Sequence, residues 1–594
     1  MAKKKKSSKK HAKTRETADN DDIDVMTLYK RYKKYIPFAL LLFFILFGYF
    51  LRIYHLNYPV IGYHNWKTAH YITEARNFAE QGFFKYGFFV PMRDTMESIQ
   101  EQPDGAHPDT FPTISVIVGF LFKIFGQSLK LARIVGIFFS LLSVMFSYLL
   151  VKELFEREDL ALLTAFLSSI NPLYVFFSHN IQLVNPALCF MLAGAYFYVR
   201  WIKGFDNNKF TSLYVAAFLV MLATITKYDF AVIGIPMLFI FPYKKVLKNR
   251  NRFIMPLAIV LLILSVFPLW YFYNEVHVTK IFRPDLGAQG SASQGLTKLI
   301  DFTILSDSEF WQVMKAYIAD NYTSIGFILA LLGSIFFLII YILKPSEKQG
   351  YRFFIGYIFG SVFFLFIMGF KLSGHNYHQF PIAPLIIFLL AFFYIAIASN
   401  LSNFFKQEPL KQTVKIGLVI LLIFIFPLPS KSVYTQSIEA KDRMFNTQFP
   451  GLDIAGEYIR EHASTNERMF HSSHQSFGVL WHAGIKGYKP PANLEIFTQA
   501  EEDYNVDWVL VYQWGIQTYF ENEELFNHLR ENYRLVQFAM IPEGQQNRAI
   551  YFLFRRGGTF NESELNTMLQ DKPAFKKTYE YTKGPYELIY INLE

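Results

Sequence analysis

Long apolar segments separated by short charged loops are the feature that most restricts how this chain can fold. An α-helix needs about 20 predominantly apolar residues to cross the hydrocarbon core of a bilayer, and by this criterion the sequence predicts about eleven membrane-spanning helices. The candidate spans are 36–53, 131–150, 160–178, 183–200, 211–226, 229–243, 254–272, 322–343, 353–370, 380–398 and 413–429.

The composition agrees with a multi-pass membrane protein. Of the 594 residues, 52% are hydrophobic and 18% are aromatic, which is too apolar for an ordinary soluble chain. The net charge of +10 does not indicate nucleic-acid binding, because much of the excess lies in the N-terminal tail and in loops between spans. The single cysteine, Cys189, cannot form an intrachain disulfide.

Basic residues in the loops predict how the spans are oriented. Lys30 to Lys34 precede the first span, so the positive-inside rule places the N-terminus in the cytoplasm, and it places the cluster from Lys244 to Arg252 there as well. Both segments can lie on the cytoplasmic side only if the number of spans between them is even, and this requires that the apolar stretch 111–126 does not cross the membrane. We interpret this stretch as an interfacial helix. The C-terminus is then extracytoplasmic, together with the loop 54–130.

The composition divides the chain into three regions. Residues 1–35 are predicted to be a basic, disordered cytoplasmic tail, and residues 36–430 a membrane domain. Residues 431–594 are rich in charge and contain alternating apolar runs such as Trp508 to Tyr512, which are typical of strands. We therefore predict a polytopic α-helical protein of the cell membrane, with interfacial helices and a soluble extracytoplasmic α/β or α+β domain.

Ionisable side chains are concentrated in segment 62–78, directly after the first span. His64, Lys67, Tyr71 and Glu74 recur at intervals of three to four residues, which places them on one face of a helix. This pattern indicates chemistry at a membrane surface.

The sequence contains a set of short polar motifs next to its apolar segments. They are Gly62 to Phe78, His107 to Pro112, Ser178 to Asn180 with Asn185-Pro186, Thr226 to Tyr228, and His375 to His378 before Pro381 and Pro384. Together these motifs resemble those of the C-type membrane glycosyltransferases, specifically the glycosyltransferase 39 and protein O-mannosyltransferase-like superfamily. Where most of the superfamily carries an Asp-Glu pair and a further Asp, this chain has His64-Asn65 and Asn185. It is more similar to a bacterial and archaeal subgroup with an aromatic-His-polar-Trp-basic motif, here Tyr63 to Lys67.

The resemblance implies an enzyme that uses a polyprenyl-phosphate sugar as donor and transfers the sugar to a hydroxyl group on the extracytoplasmic side. A direct inverting displacement needs a general base for the acceptor hydroxyl and cations for the leaving lipid phosphate. It also needs a groove in which the isoprenoid chain can lie in the bilayer. No cofactor is expected.

Asp109 is the first candidate for the base, because a carboxylate between Pro108 and Pro112 would be held at the mouth of the interfacial helix. His64 is the second candidate, since a neutral imidazole can accept a proton. Two simpler interpretations stay open. Asp109 can be the N-cap of the interfacial helix, and His64 can do no more than hydrogen-bond to backbone.

Lys227 is the leading candidate for binding the phosphate, because it lies in a two-residue outer loop where the positive-inside rule does not account for a cation. Lys67 and Arg76 come next. A cation beside a phosphoryl oxygen makes charge-assisted hydrogen bonds that stabilise the leaving group. Alternatively, Lys227 can extend to the membrane interface from a helix end, and Arg76 can be a surface charge.

His375, Tyr377 and His378 form an aromatic and imidazole cluster at the outer end of a span, where they could hydrogen-bond to phosphate or sugar. Two histidines three residues apart can also hold a divalent metal, but the sequence shows no obvious carboxylate partner for them. We therefore predict no metal site and keep a metal as the less favoured alternative.

The sequence thus predicts a glycosyltransferase whose active site lies between loop 54–130 and the loops at 227 and 375–378. Its expected partners are a polyprenyl-phosphate sugar, a hydroxyl acceptor and the lipid bilayer. A transporter or flippase of lipid-linked sugars is the first alternative, and ionisable residues in the middle of spans would favour it. A non-catalytic subunit of envelope glycan assembly is the second.

Overall fold

The structure is a computed structural model that describes the following residues. They are 34–92, 95–96, 105–205, 209–282, 302–343, 349–473, 476–513, 515–544, 546–581 and 584–594. Apart from its last two residues, the predicted basic tail 1–35 lies outside these ranges. The predicted fold class is confirmed, because apolar helices make up the chain to residue 424 and a domain built on a β-sheet follows.

Each predicted span corresponds to a helix or to a broken helix. The helices of the membrane region are Ile36–Arg52, Asn65–Gln81, Thr113–Phe125, Leu129–Phe155, Glu158–Ile170, Pro172–His179, Val184–Lys203, Thr211–Thr226, Gly234–Ile240, Tyr243–Lys248, Arg250–Leu264, Val266–Tyr271, Thr279–Phe282, Ser308–Tyr322, Ser324–Leu343, Gln349–Gly374, Ala383–Ser402 and Glu408–Phe424. Short 3₁₀ helices lie at Tyr228–Ile233, Phe302–Ser306 and Asn376–Gln379, and a π-helical turn lies at Phe272–Val278.

Within the described residues, five helices are long and apolar enough to cross a membrane. The number is six if Glu158–Ile170 and Pro172–His179, which are bent by 50°, form one broken span. Shorter apolar helices such as Ile36–Arg52 and Thr211–Thr226 account for other predicted spans, so the figure of about eleven spans stays a prediction.

Two helical stretches expose most of their apolar surface. In the most apolar 18-residue segment of Arg250–Phe282, only 17% is buried inside the protein. In the corresponding segment of Ser324–Leu343, 28% is buried. Contiguous apolar surface of this extent is unusual on a water-soluble monomer. It is the surface that a protein presents to lipid.

Arg133 anchors the beginning of the loop 54–130. Its buried Nη1 donates hydrogen bonds to the backbone carbonyls of His55 at 3.3 Å, Leu56 at 2.8 Å and Tyr58 at 2.6 Å. A buried guanidinium requires acceptors of this kind. The three bonds therefore fix the backbone conformation of residues 55–58, directly after the first span.

The loop 54–130 contains two helices that pack closely. We call Asn65–Gln81 the loop helix and Thr113–Phe125 the short apolar helix. A Cβ atom at Gly119 would lie 3.0 Å from the carbonyl oxygen of Ala75 and 3.0 Å from Cβ of Phe78. The missing side chain at Gly119 thus allows the two helices to approach each other at this point.

The C-terminal domain contains a mixed eight-stranded sheet. Its strands are β1 (Thr95–Met96), β2 (Arg468–His471), β3 (Lys486–Tyr488), β4 (Val506–Tyr512), β5 (Tyr533–Glu543), β6 (Gln546–Arg556), β7 (Ala574–Tyr579) and β8 (Tyr586–Asn592). The spatial order is β1-β3-β2-β4-β6-β5-β8-β7, parallel from β1 to β4 and antiparallel beyond. The helices of this part of the chain are Val433–Met444, Leu452–His462, Ser476–Ala483, Leu494–Asp503, Ile516–Phe520, Glu523–Asn532 and Glu562–Asp571.

The loop 54–130 and the C-terminal domain pack against each other. Strand β1 comes from the loop and pairs with β3 of the domain. The carbonyl oxygen of Ile61 accepts hydrogen bonds from the amides of Gln448 and Phe449, at 3.0 and 2.9 Å. The two regions therefore lie on the same side of the membrane domain, and their location outside the cell stays a prediction.

Candidate active site

A cavity of about 780 Å³ lies where the loop helix, the segment before the short apolar helix and the loops at 227 and 375–378 meet. Its polar and aromatic lining consists of Trp66, Lys67, Tyr71, Asp109, Thr110, Gln182, Lys227, Tyr228, Asp229, Tyr271, Glu275, Lys371, His375, Tyr377 and His378. Its apolar lining consists of Leu183, Val184, Ala231, Val232, Ile235, Phe267, Phe363, Phe364, Ile367 and Met368.

The loop helix contributes Lys67 and Tyr71 to the cavity. These residues are four positions apart and therefore lie on one face of the helix. The ammonium of Lys67 lies 4.3 Å from the ring centroid of Trp66 and 5.5 Å from that of Tyr71. Such cation–π contacts hold a lysine ammonium beside an aromatic wall, and here they place a positive charge in the lining.

Asp109 lines the same cavity, and its backbone is tied to two neighbouring segments. Its carbonyl oxygen accepts a hydrogen bond from the side-chain amide of Asn274. Two residues further on, the amide of Phe111 donates to the carbonyl oxygen of Ile225 at 2.8 Å. These bonds connect the segment of Asp109 to the π-helical turn Phe272–Val278 and to the end of the helix that precedes Lys227.

The alternative in which Asp109 is the N-cap of the short apolar helix is wrong. That helix begins at Thr113, and its N-cap position is Pro112. The Asp109 carboxylate instead accepts a hydrogen bond at 2.7 Å from the amide of Thr110. Asp109 therefore belongs to the preceding loop and not to the helix terminus.

Lys227 is the C-cap residue of helix Thr211–Thr226 and is part of a small ionic network. Its Nζ lies 3.1 Å from a carboxylate oxygen of Asp229, and 85% of its side chain is shielded from solvent. Nδ1 of His378 lies 3.2 Å from the same oxygen. A lysine that extends into the membrane interface would be exposed, so the observed pairing supports the cavity assignment and not the interfacial alternative.

His375, Tyr377 and His378 lie together as predicted from their spacing, and all three line the cavity. The rings of His375 and Tyr377 stack at 5.1 Å, with an interplanar angle of 17°. Burial and the nearby charges of Lys67 and Lys227 lower the pKa of His375 to about 4. At neutral pH this imidazole is uncharged, and it can both donate and accept hydrogen bonds.

His378 has a carboxylate neighbour that the sequence did not reveal. Burial and the charge of Lys227 lower the pKa of His378 to about 3 although Asp229 acts in the opposite direction. Asp229 thus supplies the partner that was missing from the sequence argument on metal binding.

His64 is close to the cluster but does not line the cavity. Its ring centroid lies 5.1 Å from that of His375 and 5.5 Å from that of Tyr377. Burial, followed by the proximity of His375, lowers the pKa of His64 to about 3. Because Asp109 lines the cavity and His64 does not, Asp109 is the better candidate for the base.

Arg76 lies apart from the cavity lining. It is 7% exposed, and its guanidinium lies 5.6 Å from the ring centroid of Trp481 in the C-terminal domain. This geometry favours a contact between the loop helix and that domain. The alternative of a surface charge is wrong, because the residue is buried.

Three charged residues in the lining were missed as site residues. Lys371 ends a span four residues before His375, Glu275 lies on the π-helical turn Phe272–Val278, and Asp229 follows Lys227 by two positions. Each is a charge at the end of an apolar helix, and this is the signal that could have identified them. Single π-helical turns inside α-helices also occur frequently at functional sites.

The architecture is similar to that of two solved membrane glycosyltransferases. The oligosaccharyltransferase AglB of Archaeoglobus fulgidus, in complex with an inhibitory peptide and a dolichol-phosphate, aligns with a TM-score of 0.52 and 12% identity over 87% of this chain and 74% of its own. ArnT of Cupriavidus metallidurans, bound to undecaprenyl phosphate, aligns with a TM-score of 0.51 and 13% identity over 87% of this chain and 97% of its own. The fold is therefore that of the C-type glycosyltransferases.

Within this class, residues 106–272 match the family model of dolichyl-phosphate-mannose-protein mannosyltransferases. The match and the fold together confirm the predicted resemblance to the C-type glycosyltransferases, and the assignment to the subgroup with the aromatic-His-polar-Trp-basic motif stays a prediction. The matched segment contains Asp109 and Lys227, whereas His375 and His378 lie beyond it. No curated protein sequence matches the chain significantly.

Proposed function

We propose that the protein transfers a sugar from a polyprenyl-phosphate donor to a hydroxyl group of a lipid, glycan or protein acceptor at the extracytoplasmic face of the membrane. The observation that carries this proposal is that lysines and a group of apolar side chains line the same cavity, together with the carboxylates of Asp109, Asp229 and Glu275. We call the lysines and the cavity histidines the cationic part, and the apolar side chains the apolar part. A lipid-linked sugar phosphate likewise joins a charged phosphate to a long hydrocarbon chain.

The apolar part suits an isoprenoid chain. Phe363, Phe364, Ile367 and Met368 come from one helix, Gln349–Gly374, and Val232 and Ile235 also line the cavity. An apolar chain in such a groove is removed from water, and about 25 cal/mol is gained for each Å² of apolar surface that is buried.

The cationic part suits the phosphate. Lys67, Lys227 and Lys371 all line the cavity, and the imidazoles of His375 and His378 lie among them. Ammonium groups in a site that excludes water stabilise the negative charge that develops on a leaving phosphate. The ion pair with Asp229 orients Lys227, so less of its side-chain freedom is lost when the phosphate binds.

Asp109 is assigned as the general base in a direct inverting displacement. The acceptor oxygen attacks the anomeric carbon, and its proton passes to the Asp109 carboxylate. The bond from this carbon to the phosphate oxygen breaks, and the electron pair leaves on the polyprenyl phosphate. Stabilisation of the leaving phosphate by the lysines and proton transfer to Asp109 are thus separate contributions, which different variants can remove.

The direct test is transfer of label by the purified protein. The protein in detergent or liposomes is incubated with polyprenyl phosphates that carry a set of radiolabelled sugars, together with membrane extract as the source of acceptor. We expect label to move from the lipid to an acceptor in wild-type protein and not in Asp109→Asn. Binding of unlabelled polyprenyl phosphate, measured by native mass spectrometry, should be retained in Asp109→Asn.

Two outcomes would contradict the proposal. Donor binding without transfer to any acceptor, in wild-type protein as in Asp109→Asn, would indicate a non-catalytic subunit. Movement of intact labelled donor from one leaflet of a liposome to the other, again without transfer, would indicate a flippase.

A further inference from the structure

A second cluster of polar side chains lies outside the cavity lining, between the loop helix and the segment before the short apolar helix. It consists of His70, Glu74 and His107, whose ligand atoms all lie within 4.8 Å of one another. His70 and Glu74 are buried, and His107 is partly buried. We propose that these three residues bind a divalent transition metal ion of the Zn²⁺ type.

The arrangement of the donors supports this site. His70 and Glu74 are four residues apart on the loop helix, so both side chains lie on one face, and Nε2 of His70 is 2.8 Å from Oε1 of Glu74. The ring centroid of His107 lies 4.7 Å from that of His70. In a tetrahedral Zn²⁺ site, metal–ligand distances of about 2.0–2.1 Å place neighbouring ligands about 3.3 Å apart, and small side-chain rotations reach this separation.

The surroundings of the three ligands resemble the outer shell of a metal site. The second carboxylate oxygen of Glu74 accepts a hydrogen bond from the hydroxyl of Ser115 at 2.7 Å, which holds the carboxylate in one orientation. The backbone amide of His107 donates to the carbonyl oxygen of Pro91 at 2.9 Å. Both anchors are on elements other than the loop helix, so the ligand positions are set by tertiary packing.

The ligand types favour Zn²⁺ over Mg²⁺ or Ca²⁺, which prefer oxygen ligands. Three protein ligands leave one coordination position for water. His107 precedes Asp109 by two residues, and His70 precedes Tyr71 by one. A metal at this site would therefore connect the segment of Asp109 to the helix of Lys67 and Tyr71, so His70, Glu74 and His107 are positioning residues. The site does not depend on the proposed glycosyl transfer.

The test measures metal binding directly. Full-length protein is purified in detergent without a histidine tag, stripped with EDTA and reloaded with Zn²⁺ or Co²⁺. We expect one tightly bound Zn²⁺ per chain by elemental analysis, and the visible absorption of four-coordinate Co²⁺ in the substituted protein. The melting temperature of the stripped protein should rise when Zn²⁺ is restored.

The variants locate the ion. His70→Ala and His107→Ala should lose both the bound Zn²⁺ and the Co²⁺ spectrum, and Ser115→Ala should weaken Zn²⁺ affinity by about 10- to 100-fold. The matched control is the double variant His375→Ala with His378→Ala, which removes two histidines from the cavity and should keep the ion. Absence of tightly bound ion in wild-type protein would overturn the proposal. So would an unchanged Co²⁺ spectrum in His107→Ala, or loss of the ion in the control alone.

Discussion

Asp109 and Asp229 line one cavity but have different electrostatic surroundings. Asp229 is 93% shielded and contacts the ammonium of Lys227 and Nδ1 of His378. Among the described residues, the Asp109 carboxylate forms no ion pair and accepts one hydrogen bond, from the amide of Thr110. A cation stabilises the ionised form of its partner and opposes proton uptake. The comparison therefore supports the proposal that Asp109 accepts the proton and that Asp229 orients Lys227.

The largest expected effect is that of Asp109→Asn. The variant keeps the size of the side chain and the hydrogen bond to Thr110 but loses the proton acceptor, so we expect turnover to fall by about 10²- to 10⁴-fold. The rate of sugar transfer at saturating donor is the measurement. The melting temperature should stay close to that of the wild type. Normal turnover in this variant would show that Asp109 is not the general base.

The next largest effect is expected for Lys227→Met. Removal of one hydrogen-bond donor from a site that stabilises developing charge costs about 10²- to 10³-fold in turnover, and we expect a loss of this size for the ammonium of Lys227. The single variant also leaves Asp229 buried without its ion-pair partner, which destabilises the fold.

The double variant Lys227→Met with Asp229→Asn separates these two effects. It removes the unpaired charge, so stability should recover while turnover stays low. Recovery of turnover in the double variant would show that Lys227 serves the fold and not the phosphate. Donor affinity and melting temperature, measured in parallel for both variants, decide the question.

The buried histidines predict a pH dependence of stability. Burial lowers the pKa of His64 and His378 to about 3 and that of His375 to about 4, below the value of about 6.5 in an unfolded chain. At a pH between about 4 and about 6.5, these histidines bind more protons in the unfolded state than in the folded state. The free energy of unfolding should therefore decrease as the pH falls below about 6.5. Melting temperatures from pH 8 to pH 4 measure this.

His378→Asn is the control for the pH dependence, because it removes one of the three groups. Its melting temperature should depend less steeply on pH than that of the wild type. Equal slopes in the two proteins would contradict the assigned pKa shift of His378.

The smallest effect is expected for His64→Gln. His64 lies near His375 but outside the cavity lining. We expect turnover to change by less than about tenfold, which is below the range of about 10²- to 10⁴-fold for loss of a general base. If His64→Gln has no activity while Asp109→Asn keeps normal turnover, His64 and not Asp109 is the general base.

The hydropathy pattern alone predicted the helical membrane class, and short apolar runs predicted the strands of the C-terminal sheet. Both properties are local, because the length of an apolar helix and a short apolar run are visible within a few neighbouring residues. For the same reason, the sequence identified Lys227, His375, Tyr377 and His378. An ionisable residue at the end of an apolar helix is conspicuous whatever the rest of the chain does.

Contacts between distant segments were decided only by the tertiary structure. The pairing of Asp229 with His378 joins positions 149 residues apart, and β1 joins the loop to a sheet whose other strands begin at Arg468. Arg76 was expected at the phosphate and lies instead against Trp481. No local pattern encodes such contacts, because they depend on how whole helices pack. Hydropathy and motif spacing thus determined the class of protein and most of the candidate residues, and packing determined which of those residues share the cavity.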